Sequence, residues 1–95
     1  MSVYVVAQLS IHDRARYDRY VSRFMGVLAG FNGRLLAADE APAVLEGTWP
    51  HQKVVLLEFP DRRAFERWAG SPEYIEIAKD RIAATTGSVL LVSGI

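Results

Sequence analysis

The chain has no cysteine and only two histidines among its 95 residues. The first absence excludes disulfides, thiolate metal sites and a thiol nucleophile. The second leaves too few imidazoles for a metal centre, which needs three or four ligands, and no carboxylate motif stands near either histidine to complete one. A surplus of charge of one sign is lacking too, because eleven Lys and Arg cancel eleven Asp and Glu. That balance leaves no electrostatic footprint for nucleic acid or an anionic membrane. No apolar run approaches the ~20 residues of a membrane-spanning helix. The opening Met1-Ser2-Val3-Tyr4 has neither the basic region nor the apolar stretch of a signal peptide. A soluble cytoplasmic protein is the expectation. Repeats, linkers and low-complexity segments are also missing, and the length suits one domain spanning residues 1–95.

Apolar side chains, by contrast, are plentiful. They make up 51% of the chain, high for a soluble domain of ordinary charge content. They concentrate in four strand candidates: Val3 to Ser10, Arg34 to Asp39, Lys53 to Phe59 and Ser88 to Val92. Strand side chains alternate between faces, so a half-exposed sheet should alternate apolar with polar. These runs are apolar on both faces. Val55, Leu57 and Phe59 point one way, while Val54 and Leu56 point the other.

Between the strands the period changes. Asp13 reads as the N-cap of a helix. Tyr17, Tyr20, Val21, Phe24, Leu28 and Phe31 then recur at helical steps, forming one apolar stripe. Arg14, Arg16, Arg19 and Arg23, interleaved with Asp13 and Asp18, populate the solvated sides. Asn32-Gly33 stops the helix, since both residues tolerate positive φ. After the second strand, Ala43 to Glu46 reads as a short extended piece, and Trp49-Pro50-His51-Gln52 as a loop. Asp61 caps a second helix with Phe65 and Trp68 on its apolar face. Ser71-Pro72 restarts it, with Tyr74, Ile77, Ala78 and Ile82 on the next stripe. Thr85-Thr86-Gly87 is expected to end it.

The order is β-α-β-β-α-β, with the second crossover broken in two. That is the split βαβ, or ferredoxin-like, arrangement of the α+β class, built on a four-stranded antiparallel sheet. Right-handed crossovers place every helix on one face. The other face, and an edge strand reading Val89-Leu90-Leu91-Val92, are left for a partner to cover. A second copy of the chain is the expected partner.

Several segments carry a family resemblance: Tyr4-Val5-Val6-Ala7-Gln8, the Tyr17 and Tyr20 pair, Asn32-Gly33-Arg34-Leu35-Leu36, and Val44-Leu45-Glu46-Gly47 followed by Trp49-Pro50. To these add the strand end through Leu57-Glu58-Phe59-Pro60, and Trp68 followed by Ser71-Pro72-Glu73-Tyr74. In order and spacing, over essentially the whole chain, they resemble the uncharacterised bacterial family known as domain of unknown function thirteen-thirty. The resemblance implies the dimeric α+β barrel superfamily, in which two ferredoxin-like protomers press their open sheet faces together. Relatives there include cofactorless antibiotic-biosynthesis monooxygenases, muconolactone isomerases and haem-dependent chlorite dismutases. The fold hosts many functions, so chemistry does not carry over with it.

No motif names a reaction, and the residues that could carry one are few. His51 could act as a general base near neutral pH, or it could be, like His12, a solvated loop residue. Haem would need an axial histidine in a pocket, which neither position suggests, and no cofactor is expected. Glu58 interrupts an apolar strand. A buried carboxylate there would have a raised pKa, whereas an ion pair with Arg34 or Arg81 would give it a structural role. Tyr17 is a third acid/base candidate. Trp49 reads as either the wall of a pocket or an interface plug. Tyr20, Trp68 and Tyr74 fall on core stripes, yet they also face the cleft between helices and sheet, where a buried hydroxyl needs a partner. The resulting expectation is a homodimer that binds a small apolar or aromatic metabolite in that cleft, or turns it over without a cofactor. A structural or regulatory dimer with no turnover is the alternative.

Overall fold

Three short polar side chains start the three helices. The Asp13 carboxylate accepts a hydrogen bond from the Arg16 backbone N–H (3.2 Å), Asp61 from that of Ala64 (2.8 Å) and Ser71 Oγ from that of Tyr74 (3.1 Å). Each satisfies a donor that the first helical turn leaves free. The computed structural model describes all residues, Met1 to Ile95. Its elements run β1 (Val3–Ile11), α1 (Arg14–Ala29), β2 (Arg34–Asp39), β3 (Lys53–Phe59), α2 (Arg62–Ala69), α3 (Pro72–Ala84) and β4 (Thr85–Ser93).

The strands form one antiparallel sheet in the order β2-β3-β1-β4. This is the ferredoxin-like topology that the order of elements implies, with β1 and β3 central and β2 and β4 at the edges. Register fixes which side chains meet the helices. Val5 lies opposite Leu57, and Val3 opposite Phe59. These four side chains are buried beneath α1–α3 together with Tyr17, Tyr20, Phe24, Leu28, Trp68 and Ile77. The neighbouring pair Val6 and Leu56 points to the other face, where no helix lies. A β-bulge between Leu35 and Ala37 shifts the β2–β3 register by one residue.

One strand boundary needs correction. The last helix ends where Thr85-Thr86-Gly87 is expected to end it, at Ala84 with Thr85 as C-cap, but these residues already belong to β4, opposite Ile11, Ser10 and Leu9, so the strand expected from Ser88 begins at Thr85. Gly87 makes this contact close. Its φ is +148°, and a Cβ there would sit 1.9 Å from the Gln8 carbonyl oxygen. Ala43 to Glu46, expected as a short extended piece, lies outside the sheet and pairs with no strand.

At the end of α1 the Asn32-Gly33 pair divides its tasks. Asn32 alone takes positive φ, at +61°. Gly33 is needed for space: a Cβ there would lie 2.3 Å from Leu28 Cδ1 and 2.9 Å from Phe59 Cε1. Both neighbours are fully buried, so neither can yield cheaply.

The two long helices are tied by charge as well as packing. Asp80 on α3 accepts from Arg16 Nε (3.0 Å) and Arg19 Nη2 (3.2 Å) on α1. The Arg19 hydrogen bond, then that of Arg16, holds the Asp80 carboxyl below its ordinary range.

Three substitutions have expected outcomes. Gly33→Ala should lose ~1–3 kcal/mol in urea denaturation through overpacking. Gly26→Ala, on an exposed helical position with nothing near its added Cβ, should gain up to ~1 kcal/mol. Asp80→Asn should lower Tm modestly at neutral pH. A depressed carboxyl stabilises the fold above its unfolded pKa and loses that effect as pH falls through the folded value. The Tm gap between wild type and Asp80→Asn should therefore close on acidification below the ordinary carboxylate range.

Candidate functional site

The sheet does not meet its helices everywhere. A cavity of about 270 Å³ remains between the buried face of β1 and β3 and the inner sides of the helices. Its floor is Val5, Ala7, Leu9, Val55 and Leu57, the alternate positions of the two central strands. Its walls are aromatic: Tyr17, Tyr20 and Phe24 from α1, Phe65 and Trp68 from α2, and Tyr74 from α3. Val21 and Met25, both exposed, lie at its mouth on the α1 side. These two residues are one helical turn apart, so the stripe that fills the core also frames the opening.

The aromatic wall is a continuous chain of ring contacts. Tyr17 meets Tyr20 (5.9 Å between centroids), Tyr20 meets Phe24 (5.4 Å), and Phe24 meets Trp68 edge-on (6.2 Å). Trp68 and Tyr74 are closest, at 3.9 Å. Within this wall the Tyr20 and Tyr74 hydroxyls share a buried hydrogen bond of 2.9 Å. Burial, reinforced by the neighbouring Tyr74 hydroxyl, pushes the Tyr20 phenol far above the ordinary tyrosine range. Tyr20 is therefore a neutral hydrogen-bonding group at any physiological pH, with no access to a phenolate. The indole N–H of Trp68 is buried with no hydrogen-bond partner in the protein.

Two cations complete the lining. Lys53, at the start of β3 opposite Leu9, is buried, and its Nζ sits 4.8 Å above the Tyr17 ring centroid, a cation–π contact. Arg81 contributes from α3. No other charged side chain lines the cavity.

Of the residues singled out in the sequence, the cavity gathers Tyr17, Tyr20, Trp68 and Tyr74. The other three lie elsewhere. Glu58 is on the open sheet face and receives Arg34 Nη1 at 3.1 Å, one of the two ion pairs foreseen for it. Trp49 donates its indole N–H to Gln8 Oε1 (2.8 Å), a side chain of β1 that also points to the open face. His51 is half-buried beside it: its ring stands edge-on to Trp49 at 5.9 Å, and Nδ1 lies 3.2 Å from Ser10 Oγ. The fully solvated position expected as one reading is true of His12 only.

Sequence reasoning missed Lys53 and Arg81. Lys53 stands at the polar end of an apolar run, where a lysine is ordinarily solvated. The one available signal was parity, since Lys53 shares its face with Val55 and Leu57. Arg81 carries no such mark in the sequence.

The architecture is similar to that of several solved structures. A protein of unknown function from Rhodopseudomonas palustris superposes with a TM-score of 0.84 at 17% identity, covering 99% of this chain and 82% of that one. SnoaB, a cofactor-independent oxygenase from Streptomyces nogalater, gives a TM-score of 0.70 at 17% identity, with 99% and 93% covered. A dimeric ferredoxin-like protein of unknown function from Jannaschia gives 0.70 at 17% identity over the full length of both chains. At these identities the likeness is one of fold. No curated protein matches the sequence. The family model described as domain of unknown function DUF1330 matches residues 2–95, and the chain belongs to that family.

Proposed function

We propose that the protein binds a small apolar or aromatic metabolite in the cavity between sheet and helices. One observation carries this reading. The cavity is lined by apolar and aromatic side chains with a few convergent polar groups, the composition of a ligand site. Its 270 Å³ suit a compound of one or two rings. SnoaB supports the reading as a fold neighbour whose function is cofactor-independent oxygenation. Turnover in this chain would fall to Tyr17, with Lys53 above its ring, because no carboxylate or imidazole lines the cavity. Glu58 and His51 would serve the open face. That scarcity of acid/base groups favours the second reading, a dimer that binds without turnover.

The open face supports homodimerisation. Val6 and Leu56 face each other at its centre, and Leu90, half exposed, pairs with Val6 from the edge strand. An apolar sheet face of this kind is stable in water only when covered. The dimeric Jannaschia protein supplies a precedent on the same fold.

Sedimentation of the wild type at micromolar concentration should show a dimer, and Leu56→Arg should shift it to monomer. A folded wild-type monomer would overturn the assembly. For the ligand, a thermal-shift panel of quinols, lactones and aromatic acids is the direct test. A compound at ten times its Kd adds ~1.4 kcal/mol, a rise of about 6–11 °C in Tm. Absence of any shift at millimolar concentration across the panel would sink the binding reading.

A further inference from the structure

The charged lining of the cavity is one-sided. Lys53 and Arg81 are cations, the Tyr17, Tyr20 and Tyr74 hydroxyls can donate or accept, and no Asp, Glu or His is present. An apolar cavity whose only charged groups are cations is complementary to an anion.

The cations are also uncommitted. Lysine is almost never buried unless paired, yet Lys53 is buried and takes part in none of the protein's ion pairs. Arg81 takes part in none either. The carboxylate that feels the charge of Lys53 is Glu40. Both its oxygens are hydrogen-bonded by Arg14, at 2.6 and 3.2 Å, so Glu40 serves Arg14 first and forms no ion pair with Lys53. Lys53 Nζ lies over the face of Tyr17.

The backbones that carry the two cations lie at one end of the cavity. Lys53 lies opposite Leu9, near the end of β1. Arg81 lies one turn before Ala84, whose carbonyl accepts the backbone N–H groups of His12 and Asp13 just beyond the same strand end. Trp68 lies at the other end, 5.2 Å from Phe59, which pairs with Val3. The cavity is thus polarised, with Lys53 at the Leu9 end and aromatic surface at the Val3 end.

We propose that the ligand is a small aromatic carboxylate, its anion drawn to the Lys53–Arg81 end and its rings packed against Phe24 and Trp68. This deepens the cavity reading above and rests on it.

The test compares 2-naphthoate with the neutral isostere 2-naphthamide by isothermal titration calorimetry, on wild type, Lys53→Met and Lys53→Arg. The charged probe should bind wild type ~10-fold more tightly than the amide, the scale of one charge-assisted hydrogen bond. Lys53→Met should erase that preference with little effect on the amide, and Lys53→Arg should keep it. Far-ultraviolet circular dichroism establishes that each variant is folded. Equal affinity for both probes, unmoved by Lys53→Met, would overturn the anion assignment while leaving the cavity a neutral-ligand site. Failure of both probes in a protein that binds a quinol or lactone would overturn it likewise. Failure of every compound would remove the cavity reading and this inference together.

Discussion

The antiparallel register of β1 on β3 is the contact from which the rest of the molecule follows. With Val5 opposite Leu57 and Val6 opposite Leu56, adjacent pairs go to opposite faces of the sheet. A slip of one residue would exchange the two sets. In the observed register the first set builds the core and the cavity floor beneath the helices, and the second builds an apolar face with no helix over it. The same alternation carries Lys53 inward, beside Leu9, and Glu58 outward, beside Tyr4. The two charged residues of β3 thereby acquire separate environments from parity alone. Lys53 enters an apolar cavity without an ion-pair partner, and Glu58 meets Arg34 across the β2–β3 pair.

That separation also gives meaning to the polar groups on the open face. Gln8 is bound by Trp49 and Ser10 by His51, while Glu58 is bound by Arg34. These contacts flank the apolar centre of Val6 and Leu56, much as a polar rim surrounds the core of an interface. Trp49 and Glu58 looked like candidates for a ligand site because an aromatic loop residue and a carboxylate in an apolar strand are both unusual. Their positions relate them to the surface that assembly would cover. The cavity instead draws its character from residues that seemed ordinary, the tyrosines of a core stripe and a lysine at a strand start.

What could be read from the sequence divides along the same physical line. Period-two and helical spacing are local, so the strands, the three helices, their caps at Asp13, Asp61 and Ser71, and the ferredoxin-like order were all legible. Features set by distant partners were not. Thr85-Thr86-Gly87 ends the last helix as read, but its place in β4 depends on hydrogen-bonding partners that β1 supplies from more than seventy positions earlier in the chain. The Tyr20–Tyr74 hydroxyl bond joins residues 54 positions apart. Gly33 reads as a turn residue from its neighbour Asn32, but its necessity comes from Leu28 and Phe59, the second of which arrives from another strand.

A cavity in a domain this small is itself informative. Close packing is the rule in protein interiors, and each unfilled volume forfeits dispersion contacts. Here the cleft lies against the core cluster, walled by rings that touch one another along it and open at Val21 and Met25. Ala7, Ala38 and Ala69 line it, although bulkier side chains at those positions would fill much of the space. Two cations that form no ion pair line the same volume. Filling it with hydrocarbon would restore the lost dispersion but leave those groups unanswered. An anionic aromatic molecule answers both deficits at once, the rings replacing the missing packing and the charge meeting Lys53 and Arg81.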